Sequence, residues 1–314
     1  MIREWQNRKI NKTMNYLSVD IGGSSMKYAL MDDTAVIMEK GKRPLNHVKT
    51  SDGMLAEIHS LYNDFDRPEG GIAVSYCGEL NAQNGLLFNG GSYPFMAGHN
   101  LKEELSRLCE TEVSVENDGN CAAIAELQKG NLVDCTNGVV LIIGTGLAGA
   151  LILDGKLYRG SNHYAGLLSF MTTEINTPFS LDNMAAKSVS SNYLSTAYVQ
   201  ETASVKEMDG IQFFELVNKS DSVAMNILER YCTNVANVAF NIQLLLDVEK
   251  LCVGGGISVQ PLFRKKLKEA YEKIYVTTPL QYINPPKAEL VFCAEYNDAN
   301  LVGAMYHHKN GGII

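Results

Sequence analysis

One structural unit occurs twice in this sequence, once in each half: an apolar strand, a glycine turn and a second apolar strand. The first copy spans residues 16–31, with its turn at residues 22–25. The second copy spans residues 138–153 and turns at residues 144–146. A hairpin of this kind presents backbone N–H groups at its tip, where phosphate oxygens can bind. The repetition predicts a duplicated α/β architecture that holds a ligand between its halves.

The second glycine turn also fits a different pattern. Residues 144–149 read Gly-Thr-Gly-Leu-Ala-Gly after a strong strand, which matches the GxGxxG fingerprint of dinucleotide-binding proteins. That fingerprint requires a helix to begin at the glycines. Here an apolar run continues to Asp154-Gly155, a dipeptide typical of hairpin turns. The segment is therefore predicted to be a strand, and a nicotinamide-dependent oxidoreductase is disfavoured.

A polar pair, Asn117 and Asp118, ends the apolar strand predicted over residues 113–116 and precedes a helical pattern rich in small residues. The carboxyl ends of strands are the positions at which α/β proteins bind ligands. Asp118 is therefore a candidate catalytic base. It is equally suited to cap the following helix, and the two roles are compatible.

Other polar groups leave two interpretations open. Asp20 stands just before the first glycine turn, where a carboxylate could orient Mg²⁺ or its waters, or simply flank an exposed hairpin. Asn89 and Tyr93 lie in a polar and aromatic loop that suits a carbohydrate, but Asn-Gly-Gly alone also builds a turn. His163 is interpreted as a histidine of a surface loop.

The bulk properties of the chain exclude several classes of protein. The 314 residues allow two domains, and a net charge of −8 disfavours a general nucleic-acid-binding surface. Seven cysteines occur without a CxxC pair, which is typical of reduced thiols in a cytoplasmic protein. No apolar run is long enough for a membrane span, and no signal peptide is found. Residues 1–13 are predicted to be a disordered extension.

Helical spacing of apolar residues recurs along the rest of the chain. It predicts helices over residues 54–65, 101–108, 180–197, 221–246, 263–275 and 300–306.

Four motifs in register resemble the ROK family of sugar kinases and sugar-responsive repressors. They are the first phosphate motif at residues 20–24 with Lys27, the catalytic motif at residues 116–120, the second phosphate motif at residues 144–149 and an adenosine motif at residues 253–258. The resemblance implies a two-domain actin-like ATPase (ribonuclease H-like) fold with its active site in the interdomain cleft. It implies an N-terminal domain at 14–118, onto which helix 296–309 packs, and a C-terminal domain at 119–295.

The resemblance also implies a role for each motif residue. ATP phosphates and adenosine would be held by Asp20, Gly22, Gly23, Ser24, Lys27, Gly144, Thr145, Gly146, Gly254, Gly255 and Gly256, with Mg²⁺ near Asp20 through water. The sugar would be bound by Asn117, Asn89 and Asp182, and Asp118 would deprotonate a primary hydroxyl, the 6-OH of a hexose. A homodimer is expected. Only about thirteen residues precede the first strand, too few for the DNA-binding domain of the repressors.

The sequence departs from the family pattern in the sugar-binding half. Leu167 stands where a glutamate is expected and Phe170 where a zinc-ligand histidine is expected, and residues 172–190 contain no cysteine. No structural zinc is therefore expected. The substrate could be a β-glucoside substituted at O1, or an N-acetylhexosamine such as N-acetylmannosamine whose acetyl group contacts Leu167 and Phe170. A hexose of the glucose type is a further candidate substrate of the kinase. Otherwise, the protein could bind sugar without efficient turnover, as a regulatory protein.

Overall fold

The computed structural model describes residues 14–174, 176–203, 207–277, 280–294 and 298–312. The N-terminal extension predicted over residues 1–13 lies outside them. No helix among these residues is both long and apolar enough to cross a bilayer.

The first half of the chain forms a five-stranded sheet with two helices. In chain order its elements are β1 (Tyr16–Ile21), β2 (Ser25–Met31), β3 (Ile37–Pro44), α1 (Ser51–Asp64), β4 (Ile72–Tyr76), the short pair β5 (Leu80–Asn81) and β6 (Leu86–Leu87), α2 (Leu101–Cys109) and β7 (Val113–Asn117). The sheet order is β3-β2-β1-β4-β7. The glycine turn joins β1 to β2 as an antiparallel pair, whereas β4 and β7 continue the sheet in parallel with β1.

The second half repeats this plan. Its elements are α3 (Asp118–Lys129), β8 (Gly138–Ile143), β9 (Leu147–Leu153), β10 (Lys156–Tyr158), α4 (Ala185–Val189), α5 (Asn192–Thr202), α6 (Gly210–Asn218), α7 (Ser222–Leu246), β11 (Lys250–Gly254), α8 (Pro261–Val276), α9 (Leu280–Ile283), β12 (Glu289–Phe292) and α10 (Ala299–Lys309). The sheet order is β10-β9-β8-β11-β12, with β8, β11 and β12 parallel. The five strands of each sheet therefore follow the same relative order, which confirms the predicted duplication.

Each sheet has its own apolar core. In the first half the buried side chains of β1 and β4 meet those of α1 and α2. In the second half β8 and β11 are covered by α7, whose apolar residues recur at steps of three and four positions, and by α8. Two hydrophobic cores are what a chain of this length needs, because a single core stops growing with chain length.

One predicted helix is divided in two. Instead of a continuous helix over residues 180–197, α4 ends before Ser190, which has extended backbone angles, and α5 begins at Asn192. The break coincides with a tertiary contact, because the backbone N–H and the Oγ of Ser191 both donate to the carbonyl of Gly144 at 2.8 Å. The spacing of apolar residues along α4 and α5 does not predict that contact.

The last helix, α10, contacts the first sheet, and the assignment of the whole segment 296–309 to the N-terminal domain stays a prediction. Ser18 Oγ in β1 donates to the carbonyl of Leu301 at 2.7 Å. In addition, α10 packs closely on α3, since a Cβ on Gly303 would lie 1.7 Å from the carbonyl oxygen of Cys121. Helix α3 thus lies between α10 and the second sheet. The domain boundary at residue 118 stays a prediction.

Candidate active site

A cavity of about 570 Å³ opens at the carboxyl ends of the first-sheet strands. Its wall combines residues from both halves of the chain. Gly23, Asn117 and Asp118 come from the first sheet and its junction with α3, and the turn at residues 144–146 comes from the second sheet. The structure therefore brings three of the four sequence motifs to one cavity. This arrangement follows from the duplicated topology, because parallel strands end at the same edge of a sheet.

Asp118 is the first residue of α3, and its neighbour Asn117 is the N-cap. The Asn117 Oδ1 accepts the N–H of Asn120 at 3.2 Å, while its Nδ2 donates to the carbonyl of Gly78 at 3.1 Å. The capping role considered for Asp118 therefore belongs to Asn117. Asp118 Oδ1 accepts only the adjacent N–H of Gly119, at 2.8 Å, among the hydrogen bonds of the described residues.

The environment of Asp118 favours a proton on its carboxyl group. Burial in the cavity raises the pKa of Asp118 to about 7, and the negative charges of Asp20 and Glu79 contribute, against the opposing N–H of Gly119. A carboxyl with a pKa near neutrality suits general base catalysis, because it can both accept and release a proton at physiological pH. A perturbed pKa inside a cavity is also typical of functional sites in general.

Asp20 lies beneath the first glycine turn and is buried. Its Oδ1 accepts from Ser75 Oγ at 2.8 Å and from Asn300 Nδ2 at 3.1 Å, and Lys27 Nζ lies 3.8 Å from its Oδ2. It does not line the cavity, but its charge acts on Asp118. The excess of negative charge on this side of the site fits a divalent cation held near Asp20 through water.

The two glycine turns differ in how much of each reaches the cavity. At the first turn Gly23 lines the wall, whereas Gly22 and Ser24 do not. The second turn is closed by a hydrogen bond from the Gly144 N–H to the Gly146 carbonyl at 3.0 Å. It presents all three of its residues, with Thr145 exposed.

The third glycine segment, residues 254–256, follows β11 beside the second turn. Gly254 pairs with Ile142 in the parallel ladder, so both segments leave the sheet at the same edge. Gly255 has a φ of 92°, and a Cβ there would lie 2.1 Å from the carbonyl oxygen of Ile143. Only glycine fits this position. The segment lies outside the cavity lining, so its contact with adenosine stays a prediction.

Two of the sugar-binding residues predicted from sequence lie elsewhere. Asn89 is exposed, accepts the N–H of Gly91 on its Oδ1 at 3.0 Å and donates from its Nδ2 to Glu79. Asp182 is exposed in the irregular segment before α4. Neither lines the cavity. Their proposed contacts with sugar are predictions that the geometry does not support directly.

Part of the cavity wall consists of the two residues that depart from the family pattern. Leu167 and Phe170 both line the cavity, on a loop that Ser169 fixes by exchanging hydrogen bonds with the backbone of Leu147 at 3.0 and 3.1 Å. His163 lies in the same wall and not on an outer surface, which corrects the interpretation made from sequence. Its Nδ1 is buried and has no hydrogen-bond partner among the described residues. A bound ligand could supply that partner.

Sequence reasoning did not single out an ion pair behind the catalytic residues. Glu116, which is 1% exposed, accepts from Arg159 Nε at 2.9 Å and from Arg159 Nη2 at 2.6 Å on one oxygen. Its other oxygen accepts the N–H of Asn117 at 2.8 Å and the amide of Asn120 at 2.9 Å. The pair therefore holds the turn that carries Asp118. Only the fold reveals it, because 43 residues separate Glu116 from Arg159.

Two five-stranded sheets of the same strand order, with a cavity between their glycine turns, define the actin-like ATPase (ribonuclease H-like) fold. Within that class the comparisons identify one family. The ROK family model matches residues 16–310, and the chain belongs to the ROK family.

Relatives cover nearly the whole chain. The β-glucoside kinase of Listeria monocytogenes is 28% identical over 299 residues, covering 94% of this chain and 97% of that protein. The N-acetyl-D-glucosamine kinase of Vibrio atlanticus is 25% identical over 297 residues, covering 90% and 96%. A solved ROK family protein from Streptococcus pneumoniae TIGR4, in complex with sucrose, has a TM-score of 0.83 and 26% identity, covering 95% and 98%. The relatives named for an activity here are sugar kinases.

Proposed function

We propose that the protein is an ATP-dependent carbohydrate kinase that transfers the γ-phosphoryl group to a primary hydroxyl of a hexose derivative. One observation carries the proposal. Asp118, with its pKa raised to about 7, shares a cavity with both glycine turns. Phosphoryl transfer needs this combination, because catalysis consists mostly of positioning the hydroxyl and neutralising charge on the phosphates.

The residues divide the work as follows. The Asp118 carboxylate accepts the proton of the sugar hydroxyl as that oxygen attacks the phosphorus. The backbone N–H groups of Gly23, Thr145 and Gly146, with the Thr145 hydroxyl, bind phosphate oxygens, and residues 254–256 let adenosine approach the backbone. Asp20 would hold Mg²⁺ through water, and that ion would neutralise charge on the phosphates. Lys27 holds Asp20 in place from β2, with 3.8 Å between Nζ and Oδ2.

The chemistry of the wall favours a sugar substituted at O1, that is, a β-glucoside. Leu167 and Phe170 offer no hydrogen bond where the family pattern has a glutamate and a histidine, so a free hydroxyl on that side would lose its partners. An alkyl or glycosyl substituent would instead contact apolar surface. The likeness to a β-glucoside kinase supports the same class of substrate, and the sucrose in the related structure is a glucose unit substituted at O1, in α linkage.

The test is an ADP-release assay over a panel of sugars: methyl β-D-glucoside, cellobiose, glucose, N-acetylglucosamine and N-acetylmannosamine. We expect the highest kcat/KM with the β-glucosides. The matched variants are Asp118→Asn and Asp134→Asn, since Asp134 is an exposed aspartate in a turn. The first should lose at least 10²-fold in kcat, whereas the second should match the parent protein.

Two other results would change the proposed substrate or the proposed activity. Preference for an N-acetylhexosamine would move the assignment to that sugar and keep the kinase mechanism. Sugar binding by calorimetry without ADP release would instead favour a non-catalytic regulatory protein. The homodimer expected from the family remains part of the proposal. Light scattering coupled to gel filtration would measure it directly.

A further inference from the structure

A second cavity, of about 440 Å³, lies on the far side of the Arg159–Glu116 pair. Its wall is formed by residues of α2, β7 and β10, by the end of α10, and by the segments next to these elements. The charged and titratable side chains of the lining are mainly basic: Lys102, Lys156, Arg159, His307 and His308, against the single acid Glu112. Such a surplus of positive groups is unexpected in a chain whose net charge is −8.

One group in this wall lacks a hydrogen-bond partner. His307 is 1% exposed, and neither of its ring nitrogens forms a hydrogen bond with any described residue. The nearest acidic atom, Glu116 Oε2, lies 3.8 Å from its Nδ1. The adjacent His308 is fully partnered, by Ser114 Oγ at 3.0 Å and the Gly70 carbonyl at 2.7 Å. Leaving a buried polar group without a partner is costly, so an unsatisfied imidazole in a cavity wall indicates a missing ligand.

The positively charged side chains around His307 indicate that the ligand is negatively charged. Lys102 is half-buried, and its Nζ donates to the Gln83 carbonyl at 3.1 Å, which directs the side chain along the cavity. Burial lowers the pKa of both histidines, and the charge of Lys102 is the smallest of the contributing causes in each case. Lys156 adds a second ammonium group from β10 at the exposed side.

We propose that this second cavity binds a phosphate-bearing small molecule, with Lys102, Lys156 and His307 as its donors. The phosphate dianion matches two ammonium groups and an N–H donor. A cavity of about 440 Å³ exceeds the volume of a phosphate ion, which leaves room for the organic part of a phosphate ester. The site is separate from the candidate active site, since Arg159 is the only described residue that lines both cavities. The proposal does not depend on the kinase assignment.

Histidine side-chain NMR can test the proposal, because the first cavity is lined by His163 and the second by His307 and the fully partnered His308. Protein with ¹⁵N-labelled histidine would be titrated with inorganic phosphate and, separately, with glucose 6-phosphate at pH 7. We expect saturable shifts of the His307 ring signals by either probe. The concentration at half-saturation shows whether the site prefers the ion or the ester.

Bound phosphate should also raise the pKa of His307 from its depressed level, because the dianion favours the imidazolium form. The groups that face His307 are Glu116, which raises its pKa, and Arg159, His308 and Lys102, which lower it. A ligand that contacts the ring should therefore move this titration upward. The ring signals of His163 should move far less with inorganic phosphate at the same concentration.

Substitutions of exposed or half-buried lysines separate binding from folding. Lys102→Met and Lys156→Met should each weaken phosphate binding at least tenfold, and Lys219→Met, at an exposed lysine beyond α6, should leave it unchanged. The proposal is wrong if the His307 signals do not respond up to high phosphate concentrations. It is equally wrong if they respond identically in all three variants, or if the shifts occur at His163 alone, which would place the anion in the first cavity.

Discussion

Substitution of Asp118 by asparagine should stabilise the folded protein while removing its activity. The folded chain raises the pKa of this carboxyl, first through burial and then through Asp20 and Glu79. Folding therefore favours the neutral form. The stability linked to that proton is fully present below the ordinary aspartate pKa of 3.8 and is lost as the pH rises to about 7. Asparagine, which is always neutral, avoids the loss.

The size of the effect follows from the same two pKa values. The difference between 3.8 and about 7 corresponds to ~4 kcal/mol for a carboxyl screened from water. Asp118 is only partly buried and lines an open cavity, so solvent screening reduces this figure. We expect a gain of ~1–2 kcal/mol in the free energy of unfolding at pH 8. At pH 5 the gain should be smaller, because part of the linked protonation has already occurred.

Urea unfolding followed by circular dichroism, at pH 8 and pH 5, measures both values for the parent and the Asn variant. ADP release measures the activity in parallel, and kcat should fall at least 10²-fold. In the parent protein kcat/KM should drop about tenfold for each pH unit below about 7, because only the carboxylate accepts the proton. An Asn variant that is less stable than the parent at pH 8, or whose gain does not shrink at pH 5, would refute the electrostatic reasoning. Retained activity would refute the assignment of the base.

Three further predictions concern the buried ion pair, the close contact between α10 and α3, and the accessible cysteine. Arg159→Met should cost about 3–5 kcal/mol of stability by leaving the buried Glu116 without its partner, and Glu116→Gln in the same chain should recover part of the loss in urea unfolding. Gly303→Ala should cost about 1–3 kcal/mol or more, since its Cβ would overlap a main-chain carbonyl of α3, whereas Gly210→Ala adds a Cβ in open space and should be neutral. Cys77, the one cysteine with a half-buried side chain, lines the first cavity, so maleimide should label it before the other six and ATP with sugar should slow the labelling. Its pKa is raised by burial, so labelling should be slow at pH 7, and modification of a deeply buried thiol first would contradict the geometry.

The sequence predicted the parts of the fold whose signals are local. Apolar runs on either side of glycine turns gave β1–β2 and β8–β9, and the resemblance to a family placed the cavity between them. Strand β3 was missed, because a polar edge strand such as Ile37–Pro44 shows no clear alternation of apolar residues. Helix α6 is absent from the helices predicted by apolar spacing, although Asp209 and Gln212 form a capping box there.

The candidate site shows the same division between local and distant effects. Asp118 was found because it ends a strand, but its pKa depends on Asp20, which is 98 positions earlier in the printed numbering, and on Glu79. The pairing of Arg159 with Glu116 requires the two halves to meet. His307 reaches the back of the catalytic turn from the last helix. Each of these contacts joins segments that are distant in sequence, and spacing along one segment carries no information about them.

The return of α10 to the first sheet has a consequence for synthesis on the ribosome. Ser18 in β1 meets Leu301 across a separation of 283 residues, and His308 closes over the carbonyl of Gly70. At about 5–20 residues per second, roughly 15–60 s pass between the emergence of β1 and the emergence of the helix that covers it. During that interval the nascent first half exposes the apolar surface that Met305 and its neighbours later bury. The first sheet can therefore complete its apolar core only after α10 has left the ribosome.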